Sequence, residues 1–445
     1  MLPQTNGVDV PAFPQDPMPP LRSAGAATGD RSESAPQIAA EARGARGRGA
    51  ASLGTGQAAS RGGAGAWAGS GSATIESRAT RFAVAAFAIA GLLTAALISG
   101  GRVPLAGEGS LGSIGAWCAG AAAGSAFAVS FLLEAHRGRA AWRRRLPRAK
   151  QAFDVVVLTV AFGMLSYLAI MAIAELFALG FTGLTVDPLG GGVLAGAAAA
   201  AMTYFGALAG SRVTAESVAL LATMQLFFGT MASMVTSPDT SWWQLHFSQL
   251  GNEGGAAGYR FNVSLIITGL ALTVLANYIG NDVHRGLRAR GVEQPRLVRA
   301  LCWLFAGIGL CMAIAGSVPD AENIVVHVGS ASGMLVLFGA FVWVSLARIE
   351  DVPRELVVFS LIVVVSIVIA VLLWVPFGYY NLTGTEFMAA ALLFAWLMVF
   401  VRTIGAYAIA PHEAAGGAAG GAAGGALAGP NAARGNSRAR GPVGE

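Results

Sequence analysis

The chain has 445 residues, of which 55% are hydrophobic and only 12% are charged, and its mean hydropathy is +0.60. A soluble domain carries about 25% charged residues, so this composition excludes an ordinary soluble protein and predicts a membrane protein. The net charge of +5 lies in the tails and loops, where it indicates membrane topology and not binding to nucleic acid.

Both ends of the chain are low in complexity and are predicted to be disordered. Residues 1–80 are rich in Pro, Gly, Ala, Ser and Arg, and residues 407–445 contain the run GGAAGGAAGGALAG. Neither segment has an apolar period, so neither can bury enough surface to offset the entropy of the chain. Arginine is almost the only basic residue, with one lysine at Lys150, which together with the abundant alanine and glycine indicates a GC-rich bacterial source.

Ten apolar runs between these tails predict transmembrane helices. Each run is about 20 residues long, and a helix satisfies its own backbone hydrogen bonds in lipid. The predicted spans lie near 82–100, 111–133, 153–179, 189–209, 214–235, 259–280, 298–317, 325–346, 355–377 and 384–406. We therefore predict an all-α polytopic membrane protein with a four-helix module over 82–210 and a six-helix module over 211–406.

Two basic loops predict the orientation of the chain. The loop HRGRAAWRRRLPRAK follows the second span, and HRGLRARGVEQPRLVR follows the sixth span, so both lie on the same side of the membrane. The positive-inside rule places that side in the cytoplasm. With an even number of spans, both termini are then predicted to be cytoplasmic, in a multi-pass protein of the plasma membrane.

A short polar motif occurs twice, each time after a span that is predicted to run outward. SPDTSWWQLH places Asp239 before His246, and VPDAENIVVH places Asp320 before His327 at the same spacing. These are the only two Pro-Asp pairs in the chain, and they carry two of its five histidines. The repeat predicts that the two motifs lie at the same face of the membrane.

The repeated motif has two interpretations. Proline often follows a helix, and aspartate often caps the next one, so ordinary loop chemistry accounts for both copies, with Trp242 and Trp243 as interfacial anchors. Alternatively, the acids and histidines converge to bind a metal, relay a proton or hold a lipid head group. The candidates are Asp239, His246, Asp320 and His327. No known catalytic or metal-binding motif accompanies them, and the three cysteines form no zinc pattern, so no metal site or cofactor is predicted.

Two further features concern the interior of the membrane. Gly329 and Gly333 form a GxxxG spacing, which favours close approach of another helix, with a ligand groove as the alternative. Gln225 is the one polar residue that is predicted to lie deep within a span. It would line the cavity of a small-molecule transporter or bridge two helices.

The second module resembles six-helix proteins of the DRAM and FGF-receptor-activating-protein superfamily, which has bacterial relatives with a domain of unknown function. The resemblance covers residues 214–406 and is carried by FSQLG, FNVSLIITGL and VPDAENIVVHVGSASG. The matching positions are Ser248, Gly251, Phe261, Pro319, Asp320 and His327. Val318 stands where the family usually has phenylalanine. The resemblance implies a membrane function related to lipids.

The favoured prediction is a non-enzymatic membrane protein that engages lipid or a partner protein through its outer loops. The predicted lipid-contacting residues are Trp242, Trp243, Ser248, Phe261 and Asn262. Membrane lipids, a membrane protein partner or a second copy of the chain are the expected partners, and nucleic acid is not. An outer-leaflet lipid-modifying enzyme that uses the Asp/His cluster is the alternative, and a transporter is a further one.

Overall fold

The computed structural model describes residues 62–134 and 138–409, with the backbone alone for 62–72 and 138–140. This part of the chain is almost entirely helical, and ten of its helices are long and apolar enough to cross a membrane. The prediction of an all-α polytopic membrane protein with ten spans is therefore confirmed. The predicted disordered segments 1–61 and 410–445 lie outside the described residues.

Four long helices form the first part of the described chain. They are α1 (Gly62–Leu97), α2 (Leu111–Glu134), α3 (Arg148–Gly180) and α4 (Pro188–Ser211). Two short strands, β1 (Val103–Pro104) and β2 (Thr185–Val186), pair antiparallel and join the loop before α2 to the loop before α4. A 3-10 turn at Gly138–Arg145 connects α2 to α3 on the opposite end of these helices.

Six more long helices and one short helix complete the described fold. They are α5 (Ala215–Thr236), α6 (Gln249–Asn252), α7 (Ala256–Ala289), α8 (Pro295–Ser317), α9 (Asp320–Arg348), α10 (Arg354–Trp374) and α11 (Leu382–Tyr407). Residues 237–255, which we call the long loop, contain α6. Because short connections make successive spans antiparallel, the long loop and the first turns of α9 and α11 share one end of the bundle, the site end. The 138–147 and 290–294 connections share the other, the arginine-rich end.

The first helix begins earlier than the sequence predicts. The apolar run starts near Phe82 and residues 1–80 were assigned to a disordered tail, whereas α1 begins at Gly62 and its membrane-spanning part at Ala73. Arg78 donates hydrogen bonds to Glu134 of α2 and to Ser211 of α4, at 3.4 and 3.2 Å. These contacts hold the part of α1 around Arg78 against α2 and α4. The prediction of a disordered tail was wrong for residues 62–80, which belong to the helix.

Helix α7 is the most buried of the long helices in the described chain, and it packs against α3, α5, α8 and α11. Its closest approach to α8 occurs at two glycines. A Cβ added to Gly269 would lie 2.4 Å from the carbonyl oxygen of Gly309, and a Cβ on Gly309 would lie 2.4 Å from that of Gly269. Small residues let membrane helices pack backbone to backbone, which is the source of this contact.

A buried hydrogen bond joins α10 to α11. Trp396 is fully buried among Phe338, Phe341 and Phe400, and its indole N–H donates to Ser360 Oγ at 2.8 Å. The Ser360 hydroxyl in turn donates to the Leu356 carbonyl at 2.7 Å. Because Trp396 is shielded from water, the Ser360 hydroxyl is the acceptor that satisfies its buried indole N–H.

Ser360→Ala is expected to destabilise the folded protein by about 1–3 kcal/mol, because it leaves the buried indole N–H without an acceptor. Ser345 is the matched control, since it is equally buried on α9 but its hydroxyl has no hydrogen-bond partner among the described residues. Thermal unfolding of the two detergent-solubilised variants measures the difference. Equal melting temperatures for Ser360→Ala and Ser345→Ala would contradict this account.

Candidate functional site at one end of the bundle

The long loop is fixed to the starts of two spans. The Asn252 side-chain oxygen accepts the backbone N–H of Ala321, at the start of α9, at 3.2 Å. The Glu386 carboxylate of α11 accepts the backbone N–H of Phe247. These bonds hold the middle of the loop between α9 and α11.

Two further contacts fix the loop to α7 and α11. The Asn262 amide donates to the Gly251 carbonyl at 2.9 Å, and the Asn381 amide donates to the Trp243 carbonyl at 2.7 Å. A Cβ at Gly251 would lie 2.4 Å from Asn262 Oδ1, so a larger residue there would displace the Asn262 side chain. Asn262, a predicted lipid-contacting residue, therefore positions the loop.

Helix α9 begins with a kink. Its first turn, from Asp320, is followed by Asn323 with φ −155° and ψ 93°, and Asn323 Oδ1 accepts the backbone N–H of Val326 at 3.2 Å. Asparagine is a strong N-cap, so the continuous helix begins after Asn323, close to the predicted start of this span at 325. Asp320 consequently lies on a separate turn that faces the long loop.

The central feature of the site is His246, which lies between two oxygen atoms from different segments. Its Nε2 is 3.3 Å from Asp320 Oδ2, and its Nδ1 is 3.3 Å from Ser248 Oγ. The two ionisable side chains are 24% and 15% exposed, so the pair is largely desolvated yet still reachable. The other carboxylate oxygen, Asp320 Oδ1, is buried without a hydrogen-bond partner among the described residues.

The partners of His246 determine where its proton lies. An ionised carboxylate only accepts, so Nε2 carries the hydrogen that points to Asp320. In the neutral imidazole Nδ1 is then an acceptor, and the Ser248 hydroxyl donates to it. The order Ser248–His246–Asp320 thus joins a hydroxyl to a carboxylate through the imidazole, by a hydrogen bond on the serine side and an ion-pair contact on the aspartate side.

His327 and Glu386 lie beside this path. His327 is buried, and its Nδ1 is 2.9 Å from the Val318 carbonyl, which can only accept, so Nδ1 carries a hydrogen. The Glu386 carboxylate lies within electrostatic range of His246, His327 and Asp320. Four ionisable groups from the long loop, α9 and α11 are therefore gathered at the site end.

Glu386 was not among the sequence-predicted site residues. The sequence places it near the start of the last span. The signal that could have found it is its position at the same end of the bundle as the two Pro-Asp motifs.

The two copies of the Pro-Asp motif make different contacts in the structure. Asp239 does not pair with a histidine; its Oδ1 accepts the backbone N–H and the hydroxyl of Ser241 at 2.8 and 2.6 Å. These bonds lower the pKa of Asp239 below its usual range, and the bond from the Ser241 hydroxyl has the larger effect. The first motif thus contributes its histidine and the second its aspartate to the central pair.

An aromatic cluster forms the apolar side of the site. The Phe247 ring lies 5.7 Å from that of Trp242, 5.8 Å from that of Phe261 and 6.4 Å from that of Phe387. Trp243 is 52% exposed at the surface of the same loop. Of the predicted lipid-contacting residues, Trp243 is the most accessible, whereas Phe261 is buried beneath Phe247.

The two glycines of the predicted helix contact have different surroundings. A Cβ at Gly333 would lie 3.5 Å from Cys311 Sγ of α8, whereas a Cβ at Gly329 would meet nothing within 4 Å. Gly329 therefore faces open space on α9 among the described residues.

Two buried polar residues lie away from this site. Gln225 is fully buried on α5, and neither atom of its amide has a hydrogen-bond partner among the described residues. Asp154, which the sequence interpretation missed, is fully buried near the start of α3, at the arginine-rich end. Both Asp154 oxygens lack hydrogen-bond partners in the described chain, and the charges of Arg143 and Lys150 act on it.

Across residues 73–134 and 141–409, no three His, Cys, Asp or Glu side chains are arranged as metal ligands.

Comparison with known proteins places the site inside a recognised domain. Residues 220–403 match a family described as protein of unknown function (DUF998). The match contains Ser248, His246, Asp320, His327 and Glu386, and it falls within the predicted six-helix module. No curated protein and no solved structure matches the chain. The match supports a membrane domain of unknown function, and the resemblance to the DRAM and FGF-receptor-activating-protein superfamily stays a prediction.

Proposed function

We propose that the protein is an enzyme that cleaves or transfers acyl esters of membrane lipids at the site end, with Ser248 as nucleophile. The observation that carries the proposal is the position of His246, whose two ring nitrogens face Ser248 Oγ and Asp320 Oδ2 at 3.3 Å each. A hydroxyl, an imidazole and a carboxylate in this order can activate the hydroxyl as a nucleophile.

The reaction follows from the proton positions. Ser248 Oγ bonds to the ester carbonyl carbon while His246 Nδ1 takes the hydroxyl proton, and Asp320 stabilises the imidazolium that forms. As the bond from carbon to the leaving alcohol breaks, Nδ1–H returns its proton to that alcohol. Water, or a second alcohol, then releases the acyl group from Ser248 by the same steps in reverse. Contacts of 3.3 Å are long for such bonds, and catalytic contacts commonly shorten when substrate binds.

The location of the site suits a lipid ester. The ester groups of a phospholipid lie between the hydrocarbon core and the head groups. Asp320 begins a membrane span, and His246 and Ser248 lie in the long loop that contacts it. The aromatic cluster around Phe247 supplies an apolar surface next to the hydroxyl. An acyl chain can therefore remain in an apolar environment while its ester reaches Ser248.

We further propose that the site end faces outward, in the plasma membrane, with both termini cytoplasmic. The opposite end carries Arg143, Arg144 and Arg145 before α3, and Arg288 and Arg290 at the end of α7. The long loop and the 375–381 connection contain no lysine or arginine. The positive-inside rule supports a cytoplasmic location for the arginine-rich end.

The experiment measures lipid turnover by the purified full chain in vesicles of a total bacterial lipid extract, with mass spectrometry of released fatty acids and lysolipids. We expect turnover by the wild type and a fall to the vesicle background for Ser248→Ala. Ser241→Ala is the matched control, because Ser241 lies on the same loop but bonds to Asp239. It should retain wild-type turnover.

The non-enzymatic alternative, a protein that engages lipid or a partner, predicts a different result. The open face of α9 at Gly329 favours this alternative, because it could receive a partner helix. It predicts no turnover by the wild type, or equal turnover by wild type and Ser248→Ala. Either outcome would overturn the enzymatic proposal.

A further inference from the structure

A lateral groove lies between α3, α5 and α7, near the site end. Its volume is about 370 Å³, which is within the usual range of ligand pockets, about 300–1,000 Å³. Leu176, Phe227 and Val235 are each more than half exposed along it, so the groove opens sideways toward lipid. Apolar side chains form most of its wall: Met171, Leu176, Phe227, Phe228, Met231 and Val235.

Two charged side chains of opposite sign line the same groove, toward its site-end rim. Arg260 of α7 donates one hydrogen bond, to Thr236 Oγ1 at 2.9 Å. Among the described residues it has no carboxylate partner, so the charge of its guanidinium is not paired. Glu175 of α3 likewise has no hydrogen-bond or ion-pair partner within the described ranges. A guanidinium and a carboxylate thus stand at one apolar groove without pairing with each other.

We propose that this groove is a binding site for a phosphatidylethanolamine-type lipid. Its phosphate would bind the Arg260 guanidinium, its ammonium would bind the Glu175 carboxylate, and one acyl chain would lie along Phe227 and Met231. Charge-assisted hydrogen bonds of this kind are stronger than neutral ones, and guanidinium suits phosphate geometrically. The lipid supplies a partner of opposite charge for each of these two side chains.

Other common lipids fit the two charges less well. An anionic phospholipid without an amine would satisfy Arg260 but place a further negative charge near Glu175. A choline head group carries the positive charge but has no N–H to donate to the carboxylate. The primary ammonium is the group that provides both the charge and the hydrogen bond.

The groove is separate from the acid–base site. Phe261 follows Arg260 on α7 and is buried against Phe247, so the aromatic cluster divides the groove from His246. The inference does not rest on the proposed enzymatic function, and it is tested by binding alone.

The experiment titrates the purified full chain with lipids that share identical acyl chains, and native mass spectrometry measures the bound fraction. We expect phosphatidylethanolamine to bind about tenfold tighter than phosphatidylcholine or phosphatidylglycerol, the effect of one charge-assisted hydrogen bond. Arg260→Gln and Glu175→Gln should each remove this preference. Arg402→Gln, an exposed arginine near the other end of α11, is the matched control and should retain it.

A second variant tests the groove itself. Ala172→Trp fills the groove without removing either charge. It should reduce the binding of all three lipids. The melting temperature measured without added lipid should stay unchanged. Equal affinity for the three lipids, tighter binding of phosphatidylglycerol, or an unchanged preference in Arg260→Gln would overturn the inference.

Discussion

Replacing Asp320 with asparagine is expected to lower lipid turnover by about 10²–10⁴-fold, the usual contribution of a positioned acid–base group. The carboxylate lies 3.3 Å from Nε2 of His246, where it favours the hydrogen on Nε2 and leaves Nδ1 free to take the Ser248 proton. An asparagine amide carries no charge to stabilise the imidazolium. It can also donate to Nε2, which would move the ring hydrogen to Nδ1 and block proton transfer from Ser248.

The control for this variant is the aspartate of the other Pro-Asp motif. Asp239 lies in the same long loop, but its carboxylate accepts hydrogen bonds only from Ser241 among the described residues. Asparagine supports the same kind of turn, so Asp239→Asn should retain wild-type turnover. The comparison uses initial rates of fatty acid release at equal amounts of folded protein. Equal losses in the two variants would show that Asp320 has no special role.

Gly269→Leu is expected to prevent correct packing of α7 on α8 and to destabilise the protein by about 3 kcal/mol. The new Cβ would lie 2.4 Å from the Gly309 carbonyl oxygen and 2.5 Å from the Ala313 nitrogen. Both atoms belong to a helix backbone, which cannot rotate away as a side chain could. Fluorescence-detected size-exclusion chromatography after heating measures the loss of folded protein.

Gly339→Leu is the matched control, because a Cβ there meets nothing within 4 Å. Gly339 is exposed on α9, so leucine at this position contacts lipid and should leave the melting temperature unchanged. If Gly269→Leu melted at the temperature of Gly339→Leu, the close crossing of α7 and α8 would not determine stability.

The ten spans could be predicted because hydropathy alone selects helices of the required length. The residues at which the helices begin and end were less predictable, because tertiary contacts determine some of them. Arg78 holds α1 against α2 and α4, and no local pattern around Arg78 indicates those partners. Asp154 was missed for a similar reason, since its burial depends on packing at the start of α3.

The candidate site was predictable only in part. The repeated Pro-Asp spacing directs attention to His246 and Asp320, which contact each other across two segments. It does not reveal that Asp239 and His327 make local hydrogen bonds instead. This difference depends on how the long loop folds onto α9 and α11, which Asn252 and Glu386 determine through single long-range hydrogen bonds. The equal spacing of the two motifs carries no information about such contacts.

The most direct test of the central claim, that His246 activates Ser248, is labelling with a serine-reactive fluorophosphonate. The purified full chain would be incubated with the reagent, and the modified residue would be located by peptide mass spectrometry. The account predicts modification of Ser248 that is lost in Ser248→Ala and strongly reduced in His246→Ala, while Ser241 stays unmodified. Absence of the label at Ser248, or equal labelling of wild type and His246→Ala, would contradict it.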